Sequence, residues 1–213
     1  MQVEIWSDVV CPWCYLGKRR FENALGAFEH RDDVEVVYRS FELDPTAPRD
    51  GTTPTAELLA TKYGMTPERA EQMQREMEQR AADDGLEFHM GELRSGNTRD
   101  AHRLLHLARE RGVQAELAEA LHRAYFTEQR SVFDAVALTD VAADAGLDRD
   151  EAGTVLAGDA YDDAVTEDEE TARALGATGV PFFVIDRRYG ISGAQPAETI
   201  ASALDRAWAD TTG

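Results

Sequence analysis

Apolar and polar positions change period along this chain, and each change marks a different kind of element. Val3-Glu4-Ile5-Trp6-Ser7 is a short apolar-rich run that reads as a buried strand over about Gln2–Ser7. In the next stretch Leu16, Phe21, Ala24, Leu25 and Phe28 fall close to one helical face, which predicts a helix over Pro12–Phe28. Val34 to Phe41 then alternates, Val34/Val36/Tyr38 against Glu35/Val37/Arg39, with the period of a strand. Asp44-Pro45, Pro48 and Gly51 break the pattern. From Thr55 to about Gly176 almost everything is helical, with candidates at Thr55–Tyr63, Pro67–Asp84, Thr98–Arg111, Gln114–Glu128, Asp134–Ala145, Arg149–Ala157 and Ala160–Leu175. Glycines 64, 85, 96, 112, 146, 158 and 176 sit between these segments or at their ends. After Pro181 come an apolar strand, a turn at Asp186-Arg187-Arg188, a strand over Tyr189–Ser192 and a last helix over Pro196–Ala209. The outline is a βαβ head, whose strands run parallel through a right-handed crossover, a long helical middle and a ββα tail.

Two cysteines change the picture. Cys11-Pro12-Trp13-Cys14 falls where the first strand hands over to the first helix, and these are the only cysteines present. A helix N-terminus favours an anion through its free N–H groups and its dipole, so the first thiol there should be acidified. Cys14, one helical turn on, is close enough to close a small ring with Cys11. A structural zinc would want four ligands, and no second cysteine pair exists. A purely structural disulfide would close so short a loop that it constrains the unfolded chain little. The pair therefore reads as a thiol-chemistry site. Trp13, inside the loop, should be exposed enough to touch a substrate, whereas Trp6 reads as core.

A second signal is Gly179-Val180-Pro181-Phe182-Phe183-Val184-Ile185. A proline opening a β-branched and aromatic run removes a ladder donor, which suits the start of a strand but not its middle. An ordinary trans bond fits an isolated proline; the upstream cysteine pair favours a cis Val180–Pro181 bond, with the Val180 backbone free to meet an extended peptide.

With these features the chain resembles the DsbA-like oxidoreductases of the thioredoxin superfamily, in their FrnE-type branch. The matching stretches are VEIWSDVVCPWCYLGKRRFE, RSFELDP, GNTRDAHRLLHLA and LGATGVPFFVIDRRYGISGAQPAE, in family order from Met1 to near the C-terminus. The resemblance implies an α/β thioredoxin-like fold, βαβ…ββα, with a large all-helical insertion capping the redox end. Residues 1–45 and 177–213 would be the two halves of the thioredoxin-like domain and 46–176 the insertion. It also implies a protein-disulfide oxidoreductase in which Cys11 is the nucleophile, the more buried Cys14 resolves the mixed disulfide, and Pro181 with Val180 shapes the docking edge beside Pro12 and Trp13. The Asn97-to-His106 stretch resembles the part of the family that lines the active-site cleft, so Asn97, Thr98 and His102 are candidate substrate contacts. His102 and His106 have the spacing of a two-histidine metal pair. No acidic residue offers a clear third ligand nearby, so both read as helix-surface or lid-lining histidines and no metal is expected. The Ser40-to-Pro45 stretch also matches; it either lies beneath the site or is a strand end with Phe41 and Leu43 buried.

The superfamily is similar, too, to glutathione-dependent 2-hydroxychromene-2-carboxylate isomerases and kappa-class glutathione transferases, which typically carry Ser where Cys11 stands. An isomerase or transferase acting on an aromatic or quinone-like small molecule is thus the alternative, and a binding module that kept the fold but lost turnover is a third reading. Both thiols favour dithiol redox chemistry, with a disulfide- or thiol-bearing substrate, no bound cofactor and glutathione as a redox partner. Pro12-Trp13 places no cation between the thiols, which argues for a reduction potential well below that of DsbA, about −120 mV.

Composition sets the remaining bounds. The 213 residues are 43% hydrophobic, enough for a substantial core, and no apolar stretch approaches the ~20 residues of a membrane span. Forty-one acidic against 22 basic residues give a net charge of −19, which argues against nucleic-acid or anionic-membrane partners. Only Lys18 and Lys62 are lysines, the rest of the basic residues being Arg, a balance found with salt adaptation or with a GC-rich genome. The acidic run Glu167-Asp168-Glu169-Glu170 reads as a solvated helix face. Met1 leads straight into a strand pattern without secretory features, so the expected compartment is the cytoplasm, where an accessible cysteine pair is usually catalytic or redox-sensing. Nothing in the sequence specifies an oligomeric state.

Overall fold

A computed structural model of the protein describes residues 1–49, 51 and 53–212. In chain order its elements are β1 (Gln2–Ser7), α1 (Pro12–Ala27), β2 (Glu35–Ser40), β3 (Thr53–Pro54), α2 (Thr55–Tyr63), α3 (Pro67–Asp83), β4 (Arg94–Ser95), α4 (Arg99–Glu110), α5 (Gln114–Phe126), α6 (Ala135–Asp144), α7 (Arg149–Ala157), α8 (Asp162–Ala174), β5 (Phe182–Ile185), β6 (Tyr189–Ser192) and α9 (Ala197–Thr212). They form two compact units, Met1–Leu43 with Val165–Gly213, and Asp44–Ala164. The return to the first unit falls within α8, at Val165, earlier than the expected boundary at 177.

The first unit is built on a sheet of order β2-β1-β5-β6. β1 and β2 run parallel, as strands joined through a helix do, whereas β5 is antiparallel to both β1 and β6. Alternation in β1 and β5 divides the side chains between two buried faces. On one face Phe183 stacks on Phe21 of α1 with ring centroids 5.8 Å apart. The other carries Trp6, Phe182 and Val184 packed with Ala172 of α8, Phe41, Leu175, Ala177 and Val180. Burial on both faces explains why Val37 and Tyr38, adjacent in β2 and so on opposite sides, are both in the core. The simple alternation expected there, with Val37 on the polar side, does not hold.

α8 corrects the reading of the acidic run. Asp168 and Glu169 are buried, while Glu167 and Glu170 are exposed. Asp168 accepts from the Ser40 N–H at 2.9 Å and from Arg39 Nη1 at 3.1 Å, and its carbonyl accepts the Trp6 indole N–H at 2.8 Å. Glu169 accepts the Glu42 N–H at 2.9 Å. These carboxylates accept from backbone donors at and beyond the end of β2; burial is compatible with charge because each carboxylate is hydrogen-bonded. Glu4, buried on β1, is held in the same way by Arg39 Nη2 at 2.7 Å and by Arg187 of the β5–β6 turn.

In the second unit the helices pack as neighbours, α2 on α3, α4 on α5 and α7, and α6 on α5 and α7. β3 and β4 form a two-stranded antiparallel pair, Thr53 opposite Ser95 and Pro54 opposite Arg94, too short to show a period in the sequence. Gly51 and Gly96 flank the Phe133 ring so closely that a Cβ at either would lie within 3 Å of it. Arg103, although buried, is satisfied: its guanidinium donates to the carbonyls of Val155, Gly158 and Ala160 and pairs with Asp100 at 2.8 Å. Asp134 and Asp148 cap α6 and α7 by accepting the N–H groups of Ala137 and Glu151. Among the described residues no helix is long and apolar enough to cross a membrane.

Candidate active site

β1 ends at Ser7, the chain turns through Asp8-Val9-Val10, and α1 begins at Pro12 with Cys11 as its N-cap residue. Local hydrogen bonds build this turn: Cys11 N–H donates to the Asp8 carbonyl at 3.1 Å, and the Cys11 carbonyl accepts from Cys14 at 3.0 Å and Tyr15 at 3.3 Å. Pro12 at the first helical position gives up only an N–H that the helix leaves without an internal partner. Cys11 therefore stands at the positive end of the α1 dipole. Both cysteines are free thiols. Cys11 is 4% exposed and Cys14 2%, while Trp13 between them is 42% exposed.

The surroundings of the two sulfurs differ. The Cys11 thiol points to the Val180 carbonyl, with Sγ···O of 3.8 Å. The Cys14 thiol is hydrogen-bonded to Cys11 and also meets the Ser7 hydroxyl and the Asp8 backbone N–H. Burial pushes Cys14 well above the ordinary thiol range; the Cys11 thiol adds to this through its hydrogen bond and charge, and the Asp8 and Ser7 donors pull the other way.

The Val180–Pro181 peptide bond is cis. Pro181 packs on α1 at Gly17, and its carbonyl accepts the Gly193 N–H at 2.8 Å. The ladder of β5 begins at Phe182, so Val180 lies just outside it. Cys11, Pro12, Trp13, Cys14, Val180 and Pro181 are thus brought together in the first unit from segments far apart in sequence.

Asn97, Thr98 and His102 belong to the second unit, at the start of α4. Asn97 ties this start to the preceding segment, its N–H donating to the Pro48 carbonyl at 2.9 Å and its amide to the Pro45 carbonyl at 3.2 Å. Its Oδ1 accepts the Arg99 N–H at 3.1 Å. Thr98 is buried at the N-cap position of α4. His102 is not a surface histidine: it is 1% exposed, because its position on α4 falls next to the apolar stripe of Ala101, Leu104 and Leu105. His106, one turn on, stacks with Tyr161 at a centroid distance of 6.2 Å. Among the described residues no three His, Cys, Asp or Glu side chains are grouped as metal ligands. Of the Ser40–Pro45 stretch, Glu42 is buried, Phe41 is half-buried and Leu43 is 42% exposed, the Leu43 N–H donating to Asp8 Oδ2 at 2.8 Å.

Pattern reasoning missed Ser7, the Asp8 N–H, Gly17 and Gly193. Two polar residues closing an apolar strand just before the cysteines were the signal for the first two. Gly17 shows as a glycine inside a helix that runs on through it.

The profile of the DSBA-like thioredoxin domain matches residues 2–205. A probable DsbA oxidoreductase from Streptomyces coelicolor is 53% identical, with a TM-score of 0.94 over 98% of this chain and 90% of its own. At lower identity the fold is shared with a 2-hydroxychromene-2-carboxylate isomerase (16% identical, TM-score 0.71, 100% of this chain and 98% of that one). It is shared also with the cytosolic disulfide reductase DsbM of Pseudomonas aeruginosa, solved with GSH (18%, TM-score 0.60, 97% and 98%). A chain matched over residues 2–205 and more than half identical to one of these oxidoreductases is a member of the DSBA-like thioredoxin domain family, with the fold of the DsbA-like thiol oxidoreductases and a helical insertion.

Proposed function

We propose that the protein is a thiol–disulfide oxidoreductase acting on disulfides through the Cys11/Cys14 pair. The observation that carries this reading is the contrast between the sulfurs: Cys11 at the N-terminus of α1 beside the Val180 carbonyl, Cys14 deeper and held protonated by burial. The Cys11 thiolate attacks one sulfur of the substrate disulfide; that S–S bond breaks, the second substrate sulfur leaves as a thiolate and takes up a proton, and Cys11 is joined to the first. Cys14, as thiolate, then attacks Cys11 Sγ, the mixed disulfide breaks, and the remaining substrate thiol is released. Two electrons pass to the substrate and the pair is left as a disulfide, which a thiol donor such as glutathione reduces again. The mixed disulfide itself prepares the second step. Burial remains the main influence raising Cys14, but once Cys11 is bonded its hydrogen bond and charge no longer add to it, and the Ser7 and Asp8 donors still pull the other way.

Val180, outside the β5 ladder and next to Cys11, supplies the backbone edge for the substrate, and exposed Trp13 an apolar contact. With no cation between the thiols, the pair is more reducing than DsbA at about −120 mV. In a reducing compartment such a protein works as a reductase or isomerase. The glutathione found with the Pseudomonas reductase fits a glutathione-fed cycle.

The test is a trap. Cys14→Ser should accumulate a stable mixed disulfide through Cys11 with a protein disulfide, Cys11→Ser should form none, and the unaltered chain should reduce insulin without conjugating glutathione to quinone-like acceptors. Conjugation without insulin reduction would favour the isomerase or transferase chemistry instead.

A further inference from the structure

Gly17 sits in the interior of α1, a 16-residue helix, where glycine is the poorest former after proline. Space explains it. A Cβ at Gly17 would lie 2.8 Å from Pro181 Cγ and 3.4 Å from both Pro181 Cβ and Phe183 Cζ. The Pro181 ring has no rotamer by which to retreat. Gly26, in the same helix, has nothing within 4 Å of such a Cβ. Arg20, three residues on and so on the same face as Gly17, donates from Nη1 to the Ala194 carbonyl at 2.7 Å. The neighbouring Gly193 N–H holds the Pro181 carbonyl at 2.8 Å. One face of α1 therefore meets the Pro181 ring directly at Gly17 and, through Arg20, the Gly193–Ala194 backbone that holds its carbonyl, while the N-terminus of the same helix carries Cys11 against the Val180 carbonyl.

We propose that the Gly17–Arg20 face of α1 is the aligning surface that sets the Val180 backbone edge against Cys11, and that it makes the site select disulfides carried on extended polypeptide over disulfides without backbone amides. The proposal rests on the oxidoreductase reading above. Gly17 and Arg20 are positioning residues, since neither touches the reacting sulfurs. A polypeptide disulfide needs the edge in register with Cys11, so a displacement of Pro181 costs orientation. A small disulfide needs the thiolate only.

Single-turnover oxidation of the reduced chain separates the two demands. In each case the Cys11/Cys14 dithiol gives two electrons and two protons to the disulfide, which becomes two thiols, while the pair closes as its own disulfide. Insulin and bis(2-hydroxyethyl) disulfide are the probes; Gly17→Ala, Arg20→Leu and, as control, Gly26→Ala are the variants. Gly17→Ala and Arg20→Leu should slow oxidation by insulin roughly tenfold or more, while oxidation by the small disulfide stays within about twofold of the unaltered chain. Gly26→Ala should match the unaltered chain on both. Equal loss on both probes, or loss on neither, would overturn the aligning role. Should Gly17→Ala not fold, Arg20→Leu decides by the same ratio. An unaltered chain inert to both disulfides would remove the oxidoreductase reading itself, whereas an active chain whose variants keep the ratio removes only this inference.

Discussion

Cys11 and Cys14 are the same residue type one helical turn apart, and position gives their sulfurs different surroundings. Cys11 caps a helix N-terminus; Cys14 is enclosed, and its sulfur shares its hydrogen bonds with Cys11, Ser7 and the Asp8 N–H. The raised Cys14 thiol has a consequence for stability. Below the unfolded thiol value of about 8.5, both native and unfolded chains keep the proton and no pH dependence arises from this group. Above it the unfolded chain loses the proton first, the native state holds more protons, and the free energy of unfolding falls as pH rises towards the native value. The melting temperature of the reduced protein should therefore drop through the alkaline range more steeply than that of Cys14→Ala. Parallel curves for the two would show that Cys14 ionises as an ordinary thiol.

At the scale of elements, α8 does what its composition conceals. Its four consecutive acids divide by helical geometry: Glu167 and Glu170 face solvent, while Asp168 and Glu169 turn inward to the end of β2. Asp168 closes the edge of the sheet by taking the Ser40 N–H and balancing Arg39, and its own carbonyl fixes the Trp6 indole. Replacing Asp168 by Ala should cost about 2–4 kcal/mol, because the buried Ser40 N–H loses its carboxylate acceptor and the partly buried Arg39 guanidinium keeps only Glu4. Glu167→Ala, one residue away, should stay within about 0.5 kcal/mol. Chemical denaturation of the two variants checks this; similar values would return the whole run to solvent.

For the molecule as a whole, the excess of acid is the dominant long-range term. Ion pairs such as Arg39 with Glu4 and Asp168 neutralise buried carboxylates, yet a net charge of −19 remains. Self-repulsion at that charge weakens as the Debye length shrinks from about 10 Å at 0.1 M salt to about 3 Å at 1 M. The melting temperature should climb across that series. A midpoint indifferent to salt would mean that the acidity serves solubility or reflects genome composition rather than a need for ions.

Wherever the physics is local, the sequence was enough. Periodicity of side chains located β1, α1, the helical middle and the β5–β6 hairpin, because the burial of one face leaves its mark on neighbouring residues. The Cys11-Pro12-Trp13-Cys14 spacing and its place before a helix pointed to thiol chemistry for the same reason. Tertiary structure alone decided what depends on partners far along the chain. Glu167 to Glu170 carry one charge pattern, and only the approach of β2 makes two of them core. His102 differs from a surface histidine only by what packs around it. Gly17 has no meaning until Pro181, from the other end of the chain, arrives within 2.8 Å of where its Cβ would be. Only the packed fold supplies the burial that raises the Cys14 thiol, a quantity that no local pattern encodes.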